Sequence, residues 1–240
     1  MSSIFTASLL QLTCFFLLLQ TVFSAPQNFY STCSGSENFT SSDPYATNLD
    51  ELLRHLSYET AFKGFSLGSK GIDQYKAYGL ALCYNYVSPA NCKSCVGAAS
   101  KEIVKLCPYS KGAALWYDKC TLKYSNKDFF GKIDYLGYIM CSHENASDPI
   151  SFKIQKTEFL SQLANNASSI PRMQMTGVVE LAGSHKLYGA AQCSRDLLSS
   201  DCKECLGRSI NEDGCDVALG GRLASGSCNI RFETYNFFNA

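Results

Sequence analysis

The sequence has little histidine and no excess of either charge. Of its 240 residues only three are histidines, against 13 cysteines, and 21 acidic residues balance 21 basic ones. This balance argues against a nucleic-acid-binding protein, which needs excess positive charge on one face. Few histidines and many cysteines argue against a cytosolic housekeeping enzyme and favour an oxidising compartment. Extensive disorder is not expected, because 46% of the residues are hydrophobic and only 18% are charged.

A long apolar run is also lacking beyond the first 24 residues. The first segment contains the apolar run Cys14–Leu19, and small residues follow it at Ser24 and Ala25. We interpret Met1–Ser24 as a secretory signal peptide, with an uncleaved membrane anchor as the alternative. The mature chain is then expected to begin at Ala25 and to be soluble, without a membrane helix or a lipid anchor.

Three sequons for N-linked glycosylation support secretion. They begin at Asn38, Asn145 and Asn166, and each follows the Asn-x-Ser/Thr pattern. A single sequon is weak evidence, because the pattern often arises by chance. Together with the signal peptide, the three predict a glycoprotein.

Twelve cysteines remain after the predicted signal peptide, and they reveal an internal repeat. They are Cys33, Cys83, Cys92, Cys95, Cys107 and Cys120, followed by Cys141, Cys193, Cys202, Cys205, Cys215 and Cys228. Corresponding positions are 108 or 110 residues apart, which indicates a duplication. We place the repeats at 25–133 and 134–240, each long enough to bury its own core.

Each repeat mixes helical and strand patterns. Leucines between Leu49 and Leu56 fall at helical spacing, and a second helix is predicted from Ser88-Pro89. Tyr75–Tyr86 and Ala113–Tyr124 read as strands. The second repeat mirrors this, with one helix around Phe159, Leu160 and Leu163 and another over Ser200–Ile210. The predicted fold class is α+β: two tandem disulfide-stapled domains, each an antiparallel sheet packed with two helices.

The spacing Cys-x8-Cys-x2-Cys occurs once in each repeat, beginning at Cys83 and at Cys193. With the motifs Tyr188–Cys193, Asp201–Leu206 and Cys228–Glu233, it resembles plant cysteine-rich repeat secretory proteins built from ginkbilobin-type, or stress-antifungal, domains. The resemblance covers essentially the whole mature chain. Six cysteines alone allow fifteen pairings. The resemblance implies one, Cys33–Cys107, Cys83–Cys92 and Cys95–Cys120, repeated as Cys141–Cys215, Cys193–Cys202 and Cys205–Cys228.

Two sharper interpretations of the Cys-x2-Cys pairs are less favoured. A zinc site needs four converging ligands, but the two pairs lie in separate repeats. A redox-active pair bonds its two cysteines to each other, whereas the resemblance gives each cysteine another partner. We therefore expect structural disulfides and no metal or cofactor.

Catalysis has little support in the sequence. The three histidines, His55, His143 and His185, lie in unrelated contexts and in no nucleophile or metal motif. The adjacent acids Glu212 and Asp213 precede Cys215 and are interpreted as a solvated loop. We predict that the protein is not an enzyme.

The resemblance also implies a candidate carbohydrate site. Mannose-binding members of the family hold the sugar with an Asn, an Arg and a Glu, a set whose donors and acceptors can bracket sugar hydroxyls. The matching residues are Ser142, Arg222 and Glu233 in the second repeat and Ser34, Ala114 and Ser125 in the first. Arg222 and Glu233 could instead form a structural ion pair across neighbouring strands. We expect little or no mannose binding, with some recovered by Ser142→Asn.

The two repeats differ in charge. Residues 25–133 hold 12 basic and 9 acidic residues, or +3, and residues 134–240 hold 9 and 12, or −3. This is either ordinary drift or a complementarity that helps the repeats dock.

The sequence favours a secreted, non-enzymatic recognition protein of the plant apoplast, acting in stress, defence or cell-surface signalling. Its expected partners are cell-surface or apoplastic proteins or cell-wall components, without nucleic acid or membrane insertion. The alternative is a lectin-like antifungal protein that binds mannose-containing fungal glycans through its second repeat.

Overall fold

A computed structural model describes residues 28–34, 37–181, 186–212 and 214–238 of the chain. The predicted signal peptide, His185 and Asp213 lie outside the described residues.

Each repeat folds into five strands and two helices. The first contains β1 (Asn28–Cys33), α1 (Pro44–Lys63), β2 (Phe65–Lys70), β3 (Ala77–Cys83), α2 (Pro89–Leu106), β4 (Gly112–Tyr117) and β5 (Cys120–Ser125). The second contains β6 (Gly137–Cys141), α3 (Pro149–Ser168), β7 (Gln174–Glu180), β8 (Lys186–Cys193), α4 (Ser199–Asn211), β9 (Gly221–Ser225) and β10 (Cys228–Glu233). The sheets are antiparallel, with strand orders β1-β4-β5-β3-β2 and β6-β9-β10-β8-β7. The predicted fold class is confirmed.

The longest helix of each domain begins with the same local signal. Asp43 precedes Pro44, and its carboxylate accepts a hydrogen bond from the Tyr45 amide at 2.9 Å. In the second domain the Asp148 carboxylate accepts from the Ser151 amide at 3.1 Å, and Pro149 opens the helix. An aspartate cap followed by proline satisfies a free amide and presets the first helical turn.

Helices pack on one face of each sheet, and a strand glycine sets how closely they approach. A Cβ added to Gly79 would lie 2.7 Å from Leu56, and one added to Gly189 would lie 2.6 Å from Phe159. Leu52 and Leu56 are fully buried against the first sheet. Tyr78 precedes Gly79 as Tyr188 precedes Gly189, so this Tyr-Gly pair marks where the helix touches the sheet in both domains.

The two sheets face each other through the surfaces that carry no helices. Trp116 and Ala114 pack in one buried cluster with Ala224, and Tyr138 lies against it. The indole Nε1 of Trp116 donates to the Ser225 carbonyl at 3.0 Å. Trp116 is completely buried, so the single tryptophan of the sequence lies inside the domain interface.

Polar contacts complete the interface. Gln192 of the second domain donates its side-chain amide to the Cys83 carbonyl at 3.1 Å and accepts from the Asn85 amide at 3.0 Å. The ammonium of Lys123 lies 3.2 Å from the Asp134 carboxylate. This pair joins a basic residue of the first repeat, which has a net charge of +3, to an acidic residue of the second, which has a net charge of −3. The domains thus pack together directly.

Three disulfides staple each domain. They join Cys33 to Cys107, Cys83 to Cys92, Cys95 to Cys120, Cys141 to Cys215, Cys193 to Cys202 and Cys205 to Cys228. These are the pairs that the family resemblance implies. The longest pair in each domain spans 74 residues, and closing a loop of that size stabilises by about 4 kcal/mol in the chain-entropy model.

Candidate functional site

Arg222, the central residue of the predicted sugar site, lies in the domain interface. Only 4% of it is exposed, and its Nη1 donates to the Asp118 carbonyl of the first domain at 2.8 Å. The guanidinium carbon lies 4.2 Å from the centre of the Tyr84 ring. The guanidinium is thus engaged with the first domain and is not open to solvent.

Glu233 binds a neighbouring arginine on its own strand. Its carboxylate accepts from Arg231 Nε at 3.1 Å. Burial raises the pKa of Glu233, and the Arg231 charge opposes this shift. Glu233 therefore forms its ion pair with Arg231, whereas the sequence suggested Arg222 in that role.

Ser142 takes part in a loop contact. Its hydroxyl donates to the Glu144 carbonyl at 3.1 Å and accepts from the Gly220 amide at 3.0 Å. The expectation that Ser142→Asn recovers mannose binding assumed an accessible Arg222. With Arg222 buried under the first domain, we do not expect that recovery.

The three matching positions of the first domain are dispersed. Ser34 is exposed after β1, Ala114 is buried in the domain interface, and the Ser125 hydroxyl accepts from the Lys127 amide at 3.0 Å. None of them offers a charged group, so the first domain lacks the polar set that the family mode of mannose binding uses.

The other predicted residues lie on the surface. Asn38, Asn145 and Asn166 are exposed, as are His55, His143 and Glu212. Arg208 pairs with Glu212 at 3.0 Å. Among the described residues no group of three or more His, Cys, Asp or Glu side chains could hold a metal ion.

A long furrow between α1 and α2 is a surface that the sequence analysis missed. Its volume is about 1410 Å³. Two aromatic side chains at its edge, Tyr58 and Phe62, are 66% and 73% exposed and contact each other edge to face at 5.1 Å. Their spacing of four residues, outside the leucine stripe of the predicted helix, was the one feature of the sequence that could have indicated this surface.

A second cavity continues from the same end of the furrow into the domain boundary. It has a volume of about 320 Å³, and Ala61 and Phe62 line both cavities. The second domain contributes Arg172 and Arg195. Burial lowers the pKa of Arg195, and the nearby charge of Arg172 lowers it further. Lys63 also lines this cavity and, among the described residues, no carboxylate does, so the cavity is cationic.

Two disulfide-stapled α+β domains, packed sheet against sheet, define a tandem cysteine-rich domain protein. The sequence matches the salt stress response/antifungal family twice, over residues 32–127 and 140–235. These matches cover more than half of the chain, so the chain belongs to that family and the resemblance is confirmed.

Two relatives match this chain over about nine tenths of their own length. The chain is 47% identical over 214 residues to the antimicrobial ginkbilobin-2-like protein of Castanea crenata, covering 88% of this chain and 89% of that protein. It is 39% identical over 229 residues to cysteine-rich repeat secretory protein 38 of Arabidopsis thaliana, covering 92% and 91%.

A solved structure supports the same assignment. The tandem DUF26 ectodomain of the Arabidopsis thaliana cysteine-rich receptor-like protein PDLP8 superposes with a TM-score of 0.74 at 27% identity, covering 89% of this chain and 98% of that one. With these secretory and ectodomain relatives, the chain is a secreted, extracellular protein. In the described residues we find no helix that is long and apolar enough to cross a membrane.

Proposed function

We propose that the chain is a non-enzymatic recognition protein of the plant apoplast, acting in stress, defence or cell-surface signalling. It binds a protein or a cell-wall component through the outer, helical surface of its tandem domains. The similarity to an ectodomain of a receptor-like protein supports a role at the cell surface.

The furrow of the first domain is the observation that carries this proposal. The inner faces of both sheets are occupied by each other, which leaves the outer helices to meet a partner. Exposed aromatic side chains in a concave surface are typical of a binding site. The polar groups expected to bind sugar are engaged in internal contacts instead.

Two binding measurements on the secreted, glycosylated protein test the proposal. The immobilised protein is exposed to plant extracellular extract, with and without protease treatment of the extract, and a soluble sample is applied to a glycan array. We expect a ligand whose capture is lost after protease treatment, or a cell-wall polymer other than mannan. Binding restricted to mannose-containing glycans would contradict the proposal.

Direct antimicrobial action is the second candidate. The specific observation in its favour is 47% identity to a relative named as antimicrobial, over 89% of that relative. A fungal growth assay with and without excess soluble mannan tests it. Inhibition that mannan abolishes would support the lectin-like form. Inhibition that mannan leaves unchanged would require another target.

A further inference from the structure

We propose that the α1–α2 furrow binds an amphipathic helix of a protein partner, a helix with an apolar face and an acidic flank. The inference deepens the proposed function and rests on it, because it specifies the recognition surface and the chemistry of the partner.

The shape of the furrow fits a helix. Its α1 wall runs from Ala46 to Phe62, roughly 24 Å at a helical rise of about 1.5 Å per residue. The residues that line it include Ser57, Gly97 and Ala98, whose short side chains let another backbone come close. A third helix can therefore lie between the two, with its side chains in the groove that they form.

The apolar character of the furrow requires an apolar partner face. Tyr58 and Phe62 stand at one end, and Tyr109 and Val104, which are 55% and 38% exposed, stand towards the other. Large apolar side chains that are exposed singly are ordinary, but pairs of them at both ends of one cleft mark an interaction surface.

The charges along the furrow favour a partner helix with an acidic flank. Lys93 and Lys101 lie eight residues apart on α2, about 12 Å along the helix, and both line the furrow. Within the described residues neither lysine has a carboxylate in ion-pair range. Arg54 adds no free charge because it pairs with Asp50 at 3.0 Å.

The cationic cavity at the Phe62 end of the furrow adds to this preference for an acidic partner. Arg195 donates to the Lys63 carbonyl at 3.3 Å, and its buried Nε lacks a hydrogen-bond partner in the described structure. Arg172 has no carboxylate in ion-pair range there either. Acidic side chains near one end of the bound helix would meet both guanidinium groups.

The second domain shows that the fold does not require this surface. Leu163 contacts its strand glycine as Leu56 does in the first domain. When Leu56 is aligned with Leu163, Tyr58 corresponds to Asn165 and Phe62 corresponds to Ser169. The helix α4 has 13 residues, whereas α2 has 18. The exposed aromatic residues therefore belong to the first domain and not to the framework that both domains share.

Two matched pairs of variants test the proposal. A Cβ at Gly97 would meet only the Ser57 hydroxyl, at 4.0 Å, and one at Gly207 would meet nothing within 4 Å. Gly97→Leu therefore places a side chain in the furrow at a position with room for its Cβ, and Gly207→Leu is the equivalent change on the second domain. Lys93→Glu reverses a furrow charge, and Lys203→Glu is its equivalent in α4.

The probes are two synthetic amphipathic helical peptides, each about 16 residues long to match the furrow. Both carry the same leucine and phenylalanine face, flanked by glutamates in one and by lysines in the other. Fluorescence anisotropy measures binding to the secreted protein with its disulfides intact, up to about 1 mM peptide.

We expect the glutamate peptide to bind at least about tenfold more tightly than the lysine peptide. Gly97→Leu and Lys93→Glu should each weaken it by a similar factor, whereas Gly207→Leu and Lys203→Glu should not. Equal affinity for both peptides, no binding, or equal effects of the matched variants would overturn the proposal. Vesicles of anionic lipid that bind in a Gly97-dependent way, without peptide binding, would also overturn it and assign the furrow to a membrane surface.

The extract-capture experiment separates this inference from the proposed function. If the peptides fail but Gly97→Leu still captures a protease-sensitive ligand, the furrow assignment is wrong and the recognition role stands. If neither the unmodified protein nor any variant captures a ligand, the furrow assignment and the recognition role are both wrong.

Discussion

Replacing Arg222 by methionine is expected to destabilise the protein through the domain interface. Methionine keeps most of the apolar length of the side chain and removes the guanidinium. That group donates to the Asp118 carbonyl at 2.8 Å and stacks on Tyr84 at 4.2 Å. A hydrogen bond from a charged donor contributes about 1.5–3 kcal/mol, and a desolvated cation–aromatic contact about 2 kcal/mol.

Part of this loss is offset, because the variant no longer buries a charge. We therefore expect the free energy of unfolding to fall by about 2–3 kcal/mol. Arg54→Met is the control, since Arg54 forms an exposed ion pair with Asp50 and such pairs contribute at most about 1 kcal/mol.

Urea unfolding of the oxidised protein provides the measurement. Trp116 is the single tryptophan and lies in the interface, so its fluorescence reports on domain contact, while far-ultraviolet circular dichroism reports on both domains. In the unmodified protein the two transitions should coincide. If Arg222→Met unfolds within about 0.5 kcal/mol of the unmodified protein, the guanidinium does not hold the domains together.

The remaining predictions concern pH, thiols, sugar and glycans. Burial raises the pKa of Tyr86 to about 12, against the opposing charges of Arg222 and Arg231, whereas an unfolded tyrosine ionises near about 10. The stability that neutral Tyr86 contributes is therefore present below about pH 10 and lost as the pH rises towards about 12. Unfolding free energies measured across this window should fall less steeply for Tyr86→Phe, and identical slopes would contradict the assignment. Alkylation without reduction should label no cysteine of the secreted form, and removing Cys33–Cys107 as a double serine variant should lower stability by about 4 kcal/mol. A labelled Cys92 or Cys202 would revive a redox role. Titration calorimetry should detect no mannose binding by the unmodified chain or by Ser142→Asn, because Arg222 is buried; clear binding by either would show that the domains open. Digestion of plant-expressed protein with N-glycosidase should reduce its mass, since all three sequon asparagines are exposed, and an unchanged mass would count against glycosylation.

The helices could be predicted because their signals are local, and the repeat because its cysteines recur 108 or 110 residues apart. The caps at Asp43 and Asp148, the leucine spacing and the Cys-x2-Cys pairs are each set within a few residues. Edge strands were harder: β2 and β7 are partly exposed, so their apolar pattern is weak. The segment Ala113–Tyr124 reads as strand but is a hairpin of β4 and β5, turning at Asp118 and Lys119.

The candidate site depended on tertiary contacts that the sequence does not display. Arg222 alternates along β9 with the core residue Leu223, which places its side chain on the helix-free face of the sheet. The family resemblance places Arg222 in a sugar site, which would require this face to be accessible. Its burial follows from contact with Tyr84, 138 residues earlier in the chain, and no local pattern records such a contact.

Because the chain is synthesised from its N-terminus, the inner face of the first domain is uncovered for part of its synthesis. The first domain, with Tyr84 and Trp116 on its inner face, is made before Arg222 and Phe237, which cover part of that face. Domains generally fold as units, the N-terminal one first, and uncovered apolar surface at that stage promotes aggregation. We therefore expect chaperones of the secretory pathway to shield the nascent first domain until translation supplies the second. A premature stop between the domains would leave this apolar face uncovered and favour aggregation of the product.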